Sequence, residues 1–173
     1  MKNIFKQIIK TLFFILFIFI LAIFQVTFIN RYYLWGTEPN MVLIGLLCNI
    51  FNPNFAAVIL GAIVGGAIYD FSGLFNFVSF LSFLFTIIIF HFWGKKYILK
   101  KNLFLNFLFG ILGTIFYNFF YILLSYFLFN ANFFQYFFSV SHLIEMGING
   151  LGVFIFCLIA ELFNLLKSLI WKK

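Results

Sequence analysis

Few side chains in this 173-residue chain are equipped for acid–base or metal chemistry: four acids, Glu38, Asp70, Glu145 and Glu161, and two histidines, His91 and His142. Asp70 stands out. It is the only acid between Glu38 and Glu145, and it ends a run of small residues, Gly61-Ala-Ile-Val-Gly-Gly-Ala-Ile-Tyr-Asp-Phe-Ser-Gly73. Ala57, Gly61 and Gly65 recur every four residues, and Ala62, Gly66 and Asp70 form the adjacent ridge. An unpaired carboxylate in hydrocarbon costs roughly 2.5–3.5 kcal/mol, so Asp70 is expected to be paired, hydrated or in service to a partner. Small residues at this spacing let helix backbones approach closely, and such ridges usually serve packing within a bundle.

His142 and Glu145 lie three apart, so one helical face can present both, and Glu38 and Asp70 fall on the same side of the membrane in the topology below. His91 falls near the opposite side, about a bilayer from Asp70. Polar groups at an interface need no special geometry, so the sequence predicts no catalytic residue, no metal site and no cofactor. Glu161, three residues before Asn164 and six before Lys167, reads as a polar contact near the inner face. Asn106, Asn118 and Asn149 read as interhelical hydrogen-bonding groups. Cys48 and Cys157 fall inside apolar runs without metal-ligand spacing and read as packing residues, neither a disulfide nor a redox pair.

The elements that must position these residues follow from composition. The chain is 65% hydrophobic and 9% charged, whereas soluble domains carry about 25% charged residues. Apolar runs of helical length exclude a soluble domain and favour an all-α polytopic bundle over a barrel of alternating strands. The runs fall at about 11–29, 40–51, 54–69, 74–93, 103–129 and 143–166, six spans in a single membrane domain after a basic tail over 1–10. The first run is longer than a signal core and lacks a small-x-small cleavage site, so it is expected to remain as a span. Lys2, Lys6 and Lys10 recur every four residues, as in a short basic helix on anionic lipid.

Six crossings place ten of the eleven basic residues on the cytoplasmic side, leaving only Arg31 outside. Both termini and the Lys95–Lys101 loop are then cytoplasmic. Merging the second and third runs would put that loop outside. A re-entrant hairpin over 40–69 satisfies the charge rule equally well, because Asn52-Pro53-Asn54 joins two runs shorter than the ~20 residues of a perpendicular span. Trp35, Trp93 and Trp171 fall at span ends, as interfacial indoles do. The segment from Asn130 to Ser141 is aromatic enough to lie in the outer interface. The formal charge of +7 is parcelled out at span ends, so topology accounts for it and nucleic acid does not.

Gln25 near the end of the first span, Pro39-Asn40 opening the second run, and Gly66-Ala-Ile-Tyr-Asp70-Phe-Ser72-Gly73 before a span closing in basic residues resemble the rod shape-determining MreD family. The likeness covers roughly residues 15–101; the remainder agrees in hydropathy and length. It departs in one place: family members usually carry a further Gly a few residues on, where this chain reads Leu74-Phe75-Asn76-Phe77. The resemblance implies a non-enzymatic inner-membrane component of the bacterial cell-elongation machinery, partnered by an MreC-type bitopic protein, the actin-like MreB, and a glycosyltransferase and transpeptidase pair that build peptidoglycan. Under it, Gly61, Gly65, Gly66 and Asp70 offer a surface to the partner's helix. The family is similar in architecture to the six-helix substrate-binding subunits of energy-coupling-factor vitamin transporters, which makes a small-molecule carrier the second reading. Those subunits dock through an Ala-rich face on the first helix, and here that helix has only Ala22. A lipid-headgroup transferase would need clustered acids.

Overall fold

A computed structural model describes residues 2–29, 37–50, 54–72, 77–97, 103–129 and 139–170. Its elements are six helices: α1 Lys2–Thr27, α2 Met41–Cys48, α3 Phe55–Ser72, α4 Val78–Tyr97, α5 Leu103–Phe129 and α6 Val140–Ile170. Four of them contain stretches long and apolar enough to cross a membrane: Phe5–Thr27, Phe55–Ser72, Phe104–Phe129 and Val140–Phe163; α4 adds a shorter one, Val78–Trp93. The chain is an all-helical bundle of membrane-spanning type. Arg31, Trp35, Pro53, Gly73, Lys100, Lys101, Trp171 and the aromatic segment 130–138 lie outside the described residues.

Several expected boundaries move. The basic tail is not a separate surface helix, since α1 runs from Lys2 without a break for 26 residues, about 39 Å. Lys6 and Lys10 are exposed on its first turns. The fourth span begins at Val78 rather than 74, and the last extends over 31 residues, beyond both expected ends. The fifth, 103–129, stands as expected.

The second run is the shortest. It forms a helix of only eight residues, about 12 Å against a hydrocarbon core of ~30 Å. Asn40 starts it, its side chain accepting from Leu43 N at 2.9 Å, an arrangement that satisfies a donor every helix start leaves open. Asn49 ends it, its backbone N–H donating to Leu46 O at 3.1 Å and its side chain to Gly45 O at 3.0 Å. By Asn54 the chain has reached the first third of α1, where Asn54 Nδ2 donates to Thr11 Oγ1 at 2.6 Å. The segment therefore travels inward from the end where α1 finishes (the distal end) toward the end where α1 begins (the proximal end).

Such a short helix persists because protein surrounds it. Residues 42–47 are all buried, and α2 touches α1, α3, α4, α5 and α6. Its neighbours make room with glycine: a Cβ on Gly65 of α3 would come within 2.5 Å of Val42, one on Gly152 of α6 within 2.5 Å of Ile44, and one on Gly113 of α5 would overlap Leu47. Close approach of this kind brings dispersion and hydrogen bonds into range where no hydrophobic drive operates between helices. The largest pairwise packings are α5 on α6, α3 on α4 and α1 on α3. The outward faces of α1 and α6 remain apolar and exposed, with Phe13, Leu16, Ile20, Leu143 and Ile159 among them, as a lipid-facing surface requires.

Candidate functional site

The ridge singled out in the sequence points into the bundle. Gly61 faces Phe14 and Ile18 of α1, Gly65 faces Ile18 and Val42, and Gly66 lies against the backbone of Phe80, where any Cβ would overlap the Phe80 Cα. Internal packing takes the whole ridge. The surface expected for a partner's helix is covered by α1, α2 and α4.

Asp70 has a specific task at the end of this ridge. One carboxylate oxygen accepts from Ser79 N at 3.1 Å and the other from Phe80 N at 3.0 Å. Those are first-turn amides of α4, which no intrahelical carbonyl can reach, and negative charge is favoured at that end of a helix. The side chain is 8% exposed. Ser72 Oγ donates to Tyr69 O at 2.8 Å and closes the last turn of α3. The chain enters α4 through Phe77, whose φ of 55° is left-handed. Here a phenylalanine holds a conformation that glycine adopts without steric cost.

A second polar group gathers at the distal end between α1, α2, α5 and α6. Gln25 of α1, 1% exposed, accepts from Met41 N at 2.8 Å through Oε1. Asn40 donates its backbone N–H to Asn149 Oδ1 at 2.8 Å. Asn118 Nδ2 donates to Glu145 Oε2 at 2.9 Å, and His142 Nδ1 lies 3.4 Å from the same oxygen. Asn118 and Asn149 are thus interhelical bonding groups, as expected. The Asn149 Nδ2 is buried and has no partner among the described residues.

Gln25, Asn40, Asn118, His142 and Glu145 also line a pocket of about 310 Å³. The linker contributes Thr37, Glu38, Pro39 and Asn40, α3 contributes Tyr69, α5 Tyr117, Asn118 and Tyr121, and α6 Ser141, His142 and Glu145, with Gln25 from α1. Glu38, His142 and Glu145 come together in its lining. Asp70 does not join them, being engaged on α4. His91 is remote: it lies eleven residues beyond Phe80 on α4, roughly 17 Å along the axis. There its Nδ1 is 3.1 Å from Ile50 O and its ring stacks on Phe55 at 3.6 Å. Among the described residues no group of three His, Cys, Asp or Glu is placed to hold a metal ion.

Sequence reasoning did not find the tyrosines of the chamber. Tyr117 and Tyr121, one turn apart with Asn118 in a helix otherwise rich in Phe, Leu and Ile, were the available signal. Nor did it find the α5–α6 contact at Gly110 and Gly150, where a Cβ on Gly110 would lie 2.8 Å from the Gly150 Cα. Cys48 and Cys157 are free and packed, as read, yet they meet, Sγ to Sγ at 3.9 Å across α2 and α6.

No family model matches the chain, and neither a curated protein nor a solved structure shows detectable similarity to it.

Proposed function

We infer that this chain is a non-enzymatic scaffold of the MreD type in the bacterial inner membrane, with both termini cytoplasmic. It would hold an MreC-type single-span partner and, through it, MreB and the glycosyltransferase and transpeptidase pair of the elongation complex. The observation that carries the reading is where the residues of the resemblance sit. Gln25 bonds the start of α2, Asn40 caps it and ties it to Asn149, Gly66 admits the Phe80 backbone, and Asp70 caps α4. Residues that fix how five helices meet are the ones a shared architecture would require, which supports family likeness more than a surface motif would.

Because the glycine ridge is filled from within, the partner's helix is assigned to the outward face of α1, where Phe13, Leu16, Phe17, Ile20 and Phe24 are exposed. Affinity capture of the tagged chain from membranes of its own host should recover the MreC-type protein, and depletion should turn rods into spheres. Unchanged cell shape on depletion would exclude this function. The small-molecule reading has one observation of its own, the distal chamber.

A further inference from the structure

We propose that the distal chamber binds a hexopyranose ring, presented either by a free monosaccharide or by the sugar headgroup of a glycolipid. Such binding does not require the scaffold role. At about 310 Å³ the chamber is at the small end of the ~300–1,000 Å³ typical of ligand pockets, which suits one sugar ring and not a chain of them.

The lining carries the two kinds of group that recognise a sugar: a flat aromatic face for the C–H side of the ring, and planar polar side chains for its hydroxyls. Tyr117 and Tyr121 stand one turn apart on α5, with ring centroids 6.0 Å apart and planes 31° apart, and both line the chamber. Tyr121 is 39% exposed, so its ring still has surface to cover. The polar side is built separately, across α5 and α6. Asn118 Nδ2 donates to Glu145 Oε2 at 2.9 Å, and His142 Nδ1 lies 3.4 Å from the same oxygen. Among the described residues neither the Glu145 nor the His142 side chain has a further hydrogen-bond partner, which leaves Glu145 Oε1 and His142 Nε2 for a ligand. A carboxylate oxygen accepts, and so does Nε2 when the imidazole proton sits on Nδ1 toward Glu145, so the pair matches two adjacent hydroxyl donors. Glu145 is held in place before any ligand arrives, so little ordering is lost on binding. No Lys or Arg is among the described lining residues, and an anion would find no counter-charge there.

The test is saturation-transfer NMR on the full chain in phosphatidylglycerol nanodiscs, with empty discs as the blank. The probes are methyl β-D-glucopyranoside and methyl β-D-galactopyranoside, set against sorbitol, which has the hydroxyls without the ring face. At least one pyranoside should take up saturation, most strongly at its ring C–H protons, and sorbitol should not. Glu145→Gln, which keeps an acceptor for Asn118, should weaken binding at least about tenfold, the scale of one lost charged hydrogen bond. Tyr121→Leu, which keeps bulk and loses the flat face, should weaken it about threefold or more. Thermal unfolding shows which variants fold, and either one alone suffices. Discs carrying a glucosyl or galactosyl diacylglycerol then identify the source: a raised Tm that Glu145→Gln abolishes assigns the site to the lipid headgroup, and an unchanged Tm with the pyranoside still bound assigns it to the free sugar. Equal transfer to sorbitol and the pyranosides, no transfer to either pyranoside together with an unchanged Tm in the glycolipid discs, or parental binding in the folded variants would overturn the proposal.

Discussion

Asp70 shows how one side chain can fix the start of the next helix. A carboxylate among apolar helices is costly unless its oxygens are met, and here both are met by backbone amides at the start of α4. The interaction is local charge-assisted capping, so its loss is a stability effect before it is a functional one. Asp70→Ala should destabilise the purified protein by about 1–2 kcal/mol, the usual range for a lost cap at the upper end of exposure to solvent exclusion. Asp70→Asn, which keeps one acceptor, should cost less, and Asp70→Leu the most, since it buries bulk where two donors point. Denaturant unfolding of the three variants in detergent checks the order; an alanine variant as stable as the parent would remove the capping role. The acid's oddity in its run was legible in the sequence. Its partners were not, because they are main-chain groups on the next helix.

Between elements, the fold is governed by where backbones can touch. Gly66 and Gly147 are both helical glycines, yet a Cβ on Gly66 overlaps the Phe80 backbone while one on Gly147 meets nothing within 4 Å. Backbone cannot step aside as a side-chain tip can. Gly66→Ala should therefore separate α3 from α4 and lower Tm, whereas Gly147→Ala should be neutral or stabilising by up to about 1 kcal/mol, the helix-propensity difference between the two residues. Thermal unfolding of the pair decides it, and equal behaviour would contradict the close α3–α4 crossing. The ridge was visible as small residues at four-residue spacing, but spacing does not say which neighbour fills a groove, inside the bundle or outside it.

For the molecule as a whole, the short buried helix α2 is the organising feature, and two measurements address it. Mild oxidation of the membrane-embedded protein should join Cys48 to Cys157, whose sulfurs are 3.9 Å apart, and peptide mapping should recover the cross-link between α2 and α6. Its absence under conditions that oxidise other membrane thiol pairs would place α2 elsewhere. The direction of the bundle is checked by labelling single cysteines on a Cys-free background. Tyr32→Cys and Asn132→Cys should react with an impermeant reagent in intact cells and Ile98→Cys should not, since this orientation leaves ten of eleven basic residues in the cytoplasm. Labelling at 98 would overturn it.

The sequence by itself determined that this is an all-helical bundle of membrane type, and it located the six described helices to within four residues at every end but the start of α1. That information is local: composition fixes whether a run of residues prefers hydrocarbon, and Asn, Pro and charge mark where the preference stops. It also marked Gln25, Asn40, Gly66 and Asp70 as unusual. Only the tertiary structure decided that the ridge is filled by Phe14, Ile18, Val42 and Phe80, that Asn40 reaches Asn149 across 109 positions, and that Cys48 meets Cys157. It also shortened the second run to eight residues, because the surrounding helices, not the lipid, satisfy and bury that stretch of chain. Contacts between distant segments depend on which helix faces are brought together, and that choice is made by the packing of all six at once.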